Sequence, residues 1–306
     1  MKQMVVLSGK GGTGKTSVSA ALAHLASNSA VMPKPVLVDA DVDAANLSLL
    51  LQPQLGEANE FWGGSLAFID EELCQNCGEC STVCRYDAAI PDPSGKPVYF
   101  VDPIACDGCA ACVYACPQNA IAMQQQQEGL WFQSQSSCGA LFHAELFPGR
   151  ENSGKLVTLV KQQGRLFAEE NDRDLVIIDG PPGIGCPVIS ACAGVDLGLV
   201  VTEPGLSGLH DLTRVLQTLA HFKIPTVICI NKADLYSDGA REILFFAAEQ
   251  DIEVVGEIPF DESVSQAVLQ GAPVTELYPE SRAALALQRV FKRTTEILQI
   301  GGSHAN

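Results

Sequence analysis

The chain predicts an α/β protein, a doubly wound and mostly parallel sheet interrupted by a small inserted α+β domain. Three observations carry that expectation. Short β-branched runs bounded by Gly, Pro, Asp or Asn recur at 5–8, 36–39, 175–179, 197–202, 226–230 and 253–258, the pattern of strands buried on both faces. Helix-like stretches lie between them at 15–27, 153–170, 207–222, 238–250 and 281–298. Such alternation places helices on both faces of a parallel sheet and ligands at the carboxyl ends of its strands. The alternation breaks between 61 and 127, a stretch rich in Gly, Pro and Asp that holds eight of the twelve cysteines. The expected organisation is a main domain at 1–60 and 128–306 with an insert at 61–127.

Composition narrows the function classes. With 47% apolar and 18% charged residues over 306 positions, the chain can bury a substantial core and is neither disordered nor fibrous. The net charge is 19 − 36 = −17, which argues against a broad electrostatic grip on nucleic acid or anionic lipid. No apolar run reaches 18 residues, and Met1-Lys2-Gln3 passes straight into the strand-like run 4–7, unlike a signal peptide. A cytoplasmic protein is expected, with its cysteines binding metal rather than forming disulfides.

Taken in chain order, the first strand runs into Gly9-Lys10-Gly11-Gly12-Thr13-Gly14-Lys15-Thr16-Ser17, which fits G-x-x-x-x-G-K-[ST] between a strand and a helix. Glycines there let backbone N–H groups face phosphate oxygens. The helix N-terminus adds partial positive charge, Lys15 reaches the β/γ oxygens and Thr16 can ligate Mg²⁺. The next strand ends in three aspartates at spacing two, Asp39, Asp41 and Asp43. After the insert, the run Gln124-Gln125-Gln126-Gln127 reads as a linker, and alternation at 130–135 and 141–146 reads as a hairpin returning to the main sheet. The strand at 175–179 ends in Asp179 and leads into Gly180-Pro181-Pro182-Gly183. Asn231-Lys232-Ala233-Asp234 follows another strand and could recognise a nucleotide base; by itself an N-K-x-D sequence leaves adenine and guanine open. The stretch 281–298 is basic and amphipathic, and its weak apolar face suits the last helix of the fold better than a membrane anchor.

Lys-Gly-Gly-Thr-Gly-Lys-Thr, 10–16, resembles the deviant Walker A motif of the MinD/Mrp/ParA class of P-loop ATPases, of SIMIBI type. The resemblance implies that Lys10 contacts the phosphates of a nucleotide on the partner subunit of an ATP-sandwiched dimer, either a homodimer or a heterodimer with a related ATPase. It implies that Asp41 positions the attacking water and that Asp179 holds Mg²⁺ in the Walker B position. It also implies that Gly183 senses the γ-phosphate. The nucleotide becomes ATP, or ADP after hydrolysis, with Asn231, Lys232, Asp234, Pro259 and Asp261 around its base. Lys10, Lys15, Asp41 and Asp179 are the catalytic candidates.

Within the insert, Cys74-x2-Cys77-x2-Cys80-x3-Cys84 recurs as Cys106-x2-Cys109-x2-Cys112-x3-Cys116, each copy followed by an Ala-Ile pair. This looks like a bacterial ferredoxin with two [4Fe–4S] clusters. The resemblance implies Cys74, Cys77, Cys80 and Cys116 on one cluster and Cys106, Cys109, Cys112 and Cys84 on the other. Pro117 follows Cys116 as that motif expects, whereas Arg85 replaces the other proline. Two Cys₄ zinc sites are the competing chemistry, which the tightly repeated spacing disfavours. Eight acidic residues between 66 and 124, against Arg85 and Lys96, would suit a basic patch on a redox or cluster-accepting partner. Three functions stand at this point: ATP-gated electron delivery, assembly or transfer of a metal cluster, and a spatial-positioning ATPase with a ferredoxin as redox sensor.

Overall fold

The computed structural model describes residues 1–149, 154–205 and 207–300. The chain runs β1 (Lys2–Ser8), α1 (Lys15–Ser27), β2 (Val36–Asp39), α2 (Leu47–Leu51), β3 (Ala58–Ile69), α3 (Glu79–Val83), β4 (Ala89–Pro91), β5 (Tyr99–Val101), α4 (Ala111–Ala115), β6 (Ile121–Ser136) and β7 (Gly139–Leu146). It continues through α5 (Lys155–Glu170), β8 (Leu175–Pro182), α6 (Cys186–Cys192), β9 (Leu197–Thr202), α7 (Gly208–His221), β10 (Thr226–Asn231), α8 (Ser237–Glu249), β11 (Glu253–Ile258), α9 (Glu262–Leu269), α10 (Val274–Leu277) and α11 (Arg282–Leu298). The expected start of the fifth helix at Ser153 lies outside the described residues. Contacts divide the chain into two units. The larger holds residues up to Asn59, Trp131–Glu145 and everything from the α5 region onward, and the smaller holds Glu60–Leu130 with a short stretch from Leu146.

In the larger unit the strand order is β11-β10-β9-β1-β8-β2-β7-β6, with parallel pairing from β11 through to β7. The central strand explains itself: Met4, Val5, Val6 and Leu7 are all buried, and a strand covered by helices on both faces has no polar side to alternate with. Each such side chain contributes about 1.5–3 kcal/mol on burial. Helices close in where side chains shrink, as at Gly164 of α5, where an added Cβ would stand 2.6 Å from Val38 Cγ2 of β2. The last helix, α11, turns Ala283, Ala286, Leu287, Val290 and Leu298 into the main core, so its apolar face is occupied within the fold.

The smaller unit is built on a two-fold repeat down to individual hydrogen bonds. Cys74 N donates to Asp70 O and Cys106 N to Asp102 O, both at 3.0 Å. Crosswise, Asp70 N donates to Ala120 O and Asp102 N to Ala88 O, both at 2.8 Å, so each half closes on the other. The Ala-Ile pairs sit beside the cysteines, and Ala89 and Ile121 join Ala67, Ile69 and Val101 in its core. One expectation is corrected here: Gln124-Gln125-Gln126-Gln127 is not a linker but part of β6. The adjacent β3 supplies the backbone partners that this polar run needs, and strand pairing satisfies N–H and C=O groups whatever the side chains are.

Candidate functional site

The phosphate loop grows out of β1 and ends at α1. Gly12 and Gly14 have φ of +80° and +89°. At Gly14 a Cβ would also lie 2.3 Å from Asn231 Nδ2, so glycine is required there twice over. The loop floors a cavity of about 690 Å³ that Gly11, Gly12, Thr13, Gly14, Lys15, Thr16 and Ser17 all line, with Asp41, Asp43 and Asn46 from the segment after β2. Thr13 Oγ1 is buried in this loop with no hydrogen-bond partner among the described residues. A buried hydroxyl left unpaired costs about 1–3 kcal/mol, and an acceptor oxygen in the cavity would remove that cost.

Parallel pairing of β1 with β8 and of β8 with β2 brings the charged residues together, since Asp39 lies beside Asp179 in register. Lys15 Nζ is 3.0 Å from Asp179 Oδ1 and 3.7 Å from Asp41 Oδ2. Asp179 accepts further bonds of 2.7 Å each from Thr16 Oγ1 and Ser19 Oγ. Thr16 and Asp179 thus present a hydroxyl and a carboxylate to one point, the oxygen donors a Mg²⁺ ion takes. Burial alone would draw Lys15 down, but the carboxylates of Asp179, Asp41 and Asp39 outweigh it and raise its pKa. Burial raises Asp41, with Lys15 opposing and Asp179 and Asp43 adding to the rise. Asp39 is fully buried and pushed up to about 8, first by desolvation and then by Asp179. Its oxygens accept from Asp41 N and Leu47 N, at 3.1 and 3.0 Å, so it folds the loop that presents Asp41.

The remaining residues expected at the site divide. Asn231 and Lys232 line a second cavity of about 410 Å³ that shares Gly14 and Ser17 with the first and is walled by Val18, Ile258 and Val264. Asn231 Nδ2 donates to Thr13 O at 2.7 Å. Asp234, Pro259 and Asp261 line neither cavity. Asp234 Oδ1 accepts from Phe260 N at 2.6 Å, and Asp261 caps α9 through Ser263 N and also accepts from Ala283 N. These carboxylates shape the loops around the cavity, because short acidic side chains at turns are captured by nearby amides. Gly183 also stands off the lining, with its N–H donating to Ser8 O at 3.0 Å; a γ-phosphate contact requires that bond to be exchanged. Lys10 Nζ is 2.8 Å from Glu203 Oε1, and Lys232 Nζ 3.1 Å from Glu203 Oε2. Sequence patterns did not single out Glu203.

In the smaller unit the eight repeated cysteines surround two hollows, four to each. One is lined by Cys74, Cys77, Cys80 and Cys116; the other by Cys84, Cys106, Cys109 and Cys112. Each hollow takes three cysteines from one copy of the repeat and the fourth from the other. Ala88 N donates to Cys84 Sγ and Ala120 N to Cys116 Sγ, both at 3.3 Å. Burial pushes the Cys80 thiol up to about 11 and raises Cys112 likewise, so thiolates there need a positive partner. Among the described residues no three His, Cys, Asp or Glu side chains converge as ligands of one metal ion. Cys138, Cys192 and Cys229 are buried in the larger unit, and Cys186 is exposed.

The profile of the CobQ/CobB/MinD/ParA nucleotide-binding domain matches residues 4–274. An uncharacterised protein of Methanocaldococcus jannaschii is 32% identical over 296 residues, 97% of both chains. An iron-sulfur cluster carrier protein of Pyrococcus horikoshii is 26% identical over 160 residues, 48% of this chain and 53% of the relative. Among solved structures, the septum site-determining protein MinD of Pyrococcus horikoshii with Mg-ADP superposes with a TM-score of 0.58 at 18% identity, over 99% of each chain.

Proposed function

The chain belongs to the CobQ/CobB/MinD/ParA nucleotide-binding family, and from that premise we propose that it binds and hydrolyses Mg-ATP and uses the nucleotide cycle to control an iron–sulfur unit that serves a partner protein. The observation that carries the ATPase part is the convergence of Lys15, Thr16, Asp41 and Asp179 at one cavity whose floor holds an unsatisfied Thr13 hydroxyl. In this reading Lys15 neutralises β/γ oxygens, Thr16 and Asp179 hold Mg²⁺, and Asp41 orients the attacking water. Lys10 crosses to the nucleotide of a second subunit, a further copy of this chain or a related ATPase. Asn231 faces the base from the apolar second cavity. Adenine is favoured because Asp234, which would have to read the guanine edge, lines neither cavity.

The four-and-four sorting of cysteines supports a pair of [4Fe–4S] clusters in the smaller unit, which reads as a ferredoxin domain inserted between the loop of Asp41 and the β6–β7 hairpin. Such clusters, when bound, supply one-electron redox chemistry. Cys80 sits within the packed core of the unit, with Cys74, Cys84, Cys106, Cys112 and Cys116 against it, which suits resident clusters and electron delivery. Cluster carriage is the second reading, favoured by the iron-sulfur cluster carrier among the relatives. A membrane-positioning role loses its support at α11, whose apolar face is already packed. Anaerobically purified protein is expected to be brown, with about eight iron atoms per chain and visible absorption that bleaches with dithionite. Two zinc ions in a colourless protein would overturn the cluster assignment. Incubation with an apo acceptor separates the two readings, since carriage moves iron out of the protein and electron delivery leaves it in place.

A further inference from the structure

Glu203 joins two lysines that the nucleotide site uses. It follows β9, and β9 lies between β1 and β10, so the residue just past its carboxyl end reaches the loops of both neighbours. Lys10 comes from one and Lys232 from the other, and each takes one carboxylate oxygen, at 2.8 and 3.1 Å. Lys232 Nζ also donates to Gly12 O at 3.3 Å, so the triad closes over the phosphate loop. The carboxylate is mostly shielded, its side chain 22% exposed, while the lysines stand at 35% and 33%. Burial would raise the Glu203 pKa, but the hydrogen bonds from Lys10 and Lys232 outweigh it and hold the group ionised.

We propose that Glu203 is a positioning residue, an intramolecular latch that keeps Lys10 on its own subunit and sets how much ATP is needed before Lys10 is released to a second copy of the chain. The inference rests on the dimerisation role proposed above for Lys10. A lysine cannot serve its own Glu203 and a partner's triphosphate at once, so the strength of the ion pair subtracts directly from dimer stability. Lys232 remains as the carboxylate's partner after release, which spares Glu203 an unpaired charge.

The test compares wild type, Glu203→Gln and Glu203→Ala by analytical ultracentrifugation with Mg²⁺ and a non-hydrolysable ATP analogue, alongside ATP turnover across a range of protein concentrations. A partly exposed pair of this kind predicts a two- to fivefold fall in the analogue concentration at half dimerisation in both variants. The protein concentration at half-maximal turnover falls in parallel, while turnover per site at saturating protein moves less than twofold. A merely structural role would lower the thermal midpoint and saturating turnover together and leave the dimerisation midpoint in place or raised. Either outcome overturns the latch. If wild type forms no ATP-dependent dimer, the Lys10 reading fails and the latch with it. If wild type dimerises, Lys10→Ala does not, and both Glu203 variants match wild type, the latch alone fails.

Discussion

Lys15 is the residue on which the site depends most. Its ammonium compensates Asp179 and Asp41 in a place where it is only 6% exposed, so Lys15→Ala is expected to abolish ATP binding as read by calorimetry. Retained micromolar binding would contradict the assignment. In the proposed mechanism Asp41, at the cavity 3.7 Å from Lys15 Nζ, serves chemistry rather than affinity. Asp41→Ala is predicted to keep ATP bound and to lower turnover about 10²–10⁴-fold, and weakened ATP binding with turnover at saturating ATP unchanged would reverse that view. In the cysteine unit, Ala110 occupies φ +61° at the start of α4, where the matching position of the first copy is Gly78. Left-handed backbone costs a non-glycine residue about 1–2 kcal/mol, so Ala110→Gly should raise the temperature at which the visible absorption is lost, and a fall would count against the strain. The signature Lys10 to Thr16 was legible in the sequence because the loop's chemistry is local. Glu203 was not, since its role exists only once β9 is known to lie between β1 and β10.

At the scale of elements, α6 follows Gly183 and ends on Lys161 of α5. The Lys161 ammonium donates to the carbonyls of Ser190, at 3.3 Å, Ala191, at 2.8 Å, and Ala193, the acceptors a helix leaves open at its C-terminus. Burial draws Lys161 down to about 8. Between that value and the ordinary lysine range the unfolded chain carries a proton that the folded chain lacks, so stability should rise with pH across that window. Lys161→Met is predicted to cost about 1–3 kcal/mol at neutral pH and to remove the rise, both readable from urea unfolding at pH 7 and pH 9.5. A variant with the wild-type pH dependence would show that another group is responsible. Strand identity was legible where apolar runs are buried on both faces, as at Met4 to Leu7. It was not legible at Gln124 to Gln127, because pairing with β3 rather than side-chain burial makes that segment a strand. The turn-forming bonds of Asp234 and Asp261 were not legible either, because they are set by the distant amides of Phe260 and Ala283 as well as by Ser263.

For the whole molecule, the proposed function joins nucleotide chemistry and iron–sulfur chemistry on one chain. The polypeptide leaves the larger unit at Asn59, near the start of β3 and 59 − 43 = 16 residues beyond Asp43, and enters the cysteine unit along that strand. In the proposed function the loop of Asp41 answers to the γ-phosphate and runs on along the chain to the cysteine unit, and that continuity would couple nucleotide state to the metal centres. The mostly parallel sheet with its phosphate loop was legible in the sequence because Lys10 to Thr16 form a dense local motif; the coupling belongs to no single motif. The most direct measurement is an anaerobic redox titration followed by electron paramagnetic resonance, with Mg-ADP and with a non-hydrolysable Mg-ATP analogue. The account predicts that the midpoint potential of at least one centre shifts by about 30–60 mV between the two nucleotides, up to tenfold in a one-electron equilibrium. Superimposable titrations with identical spectra would contradict it.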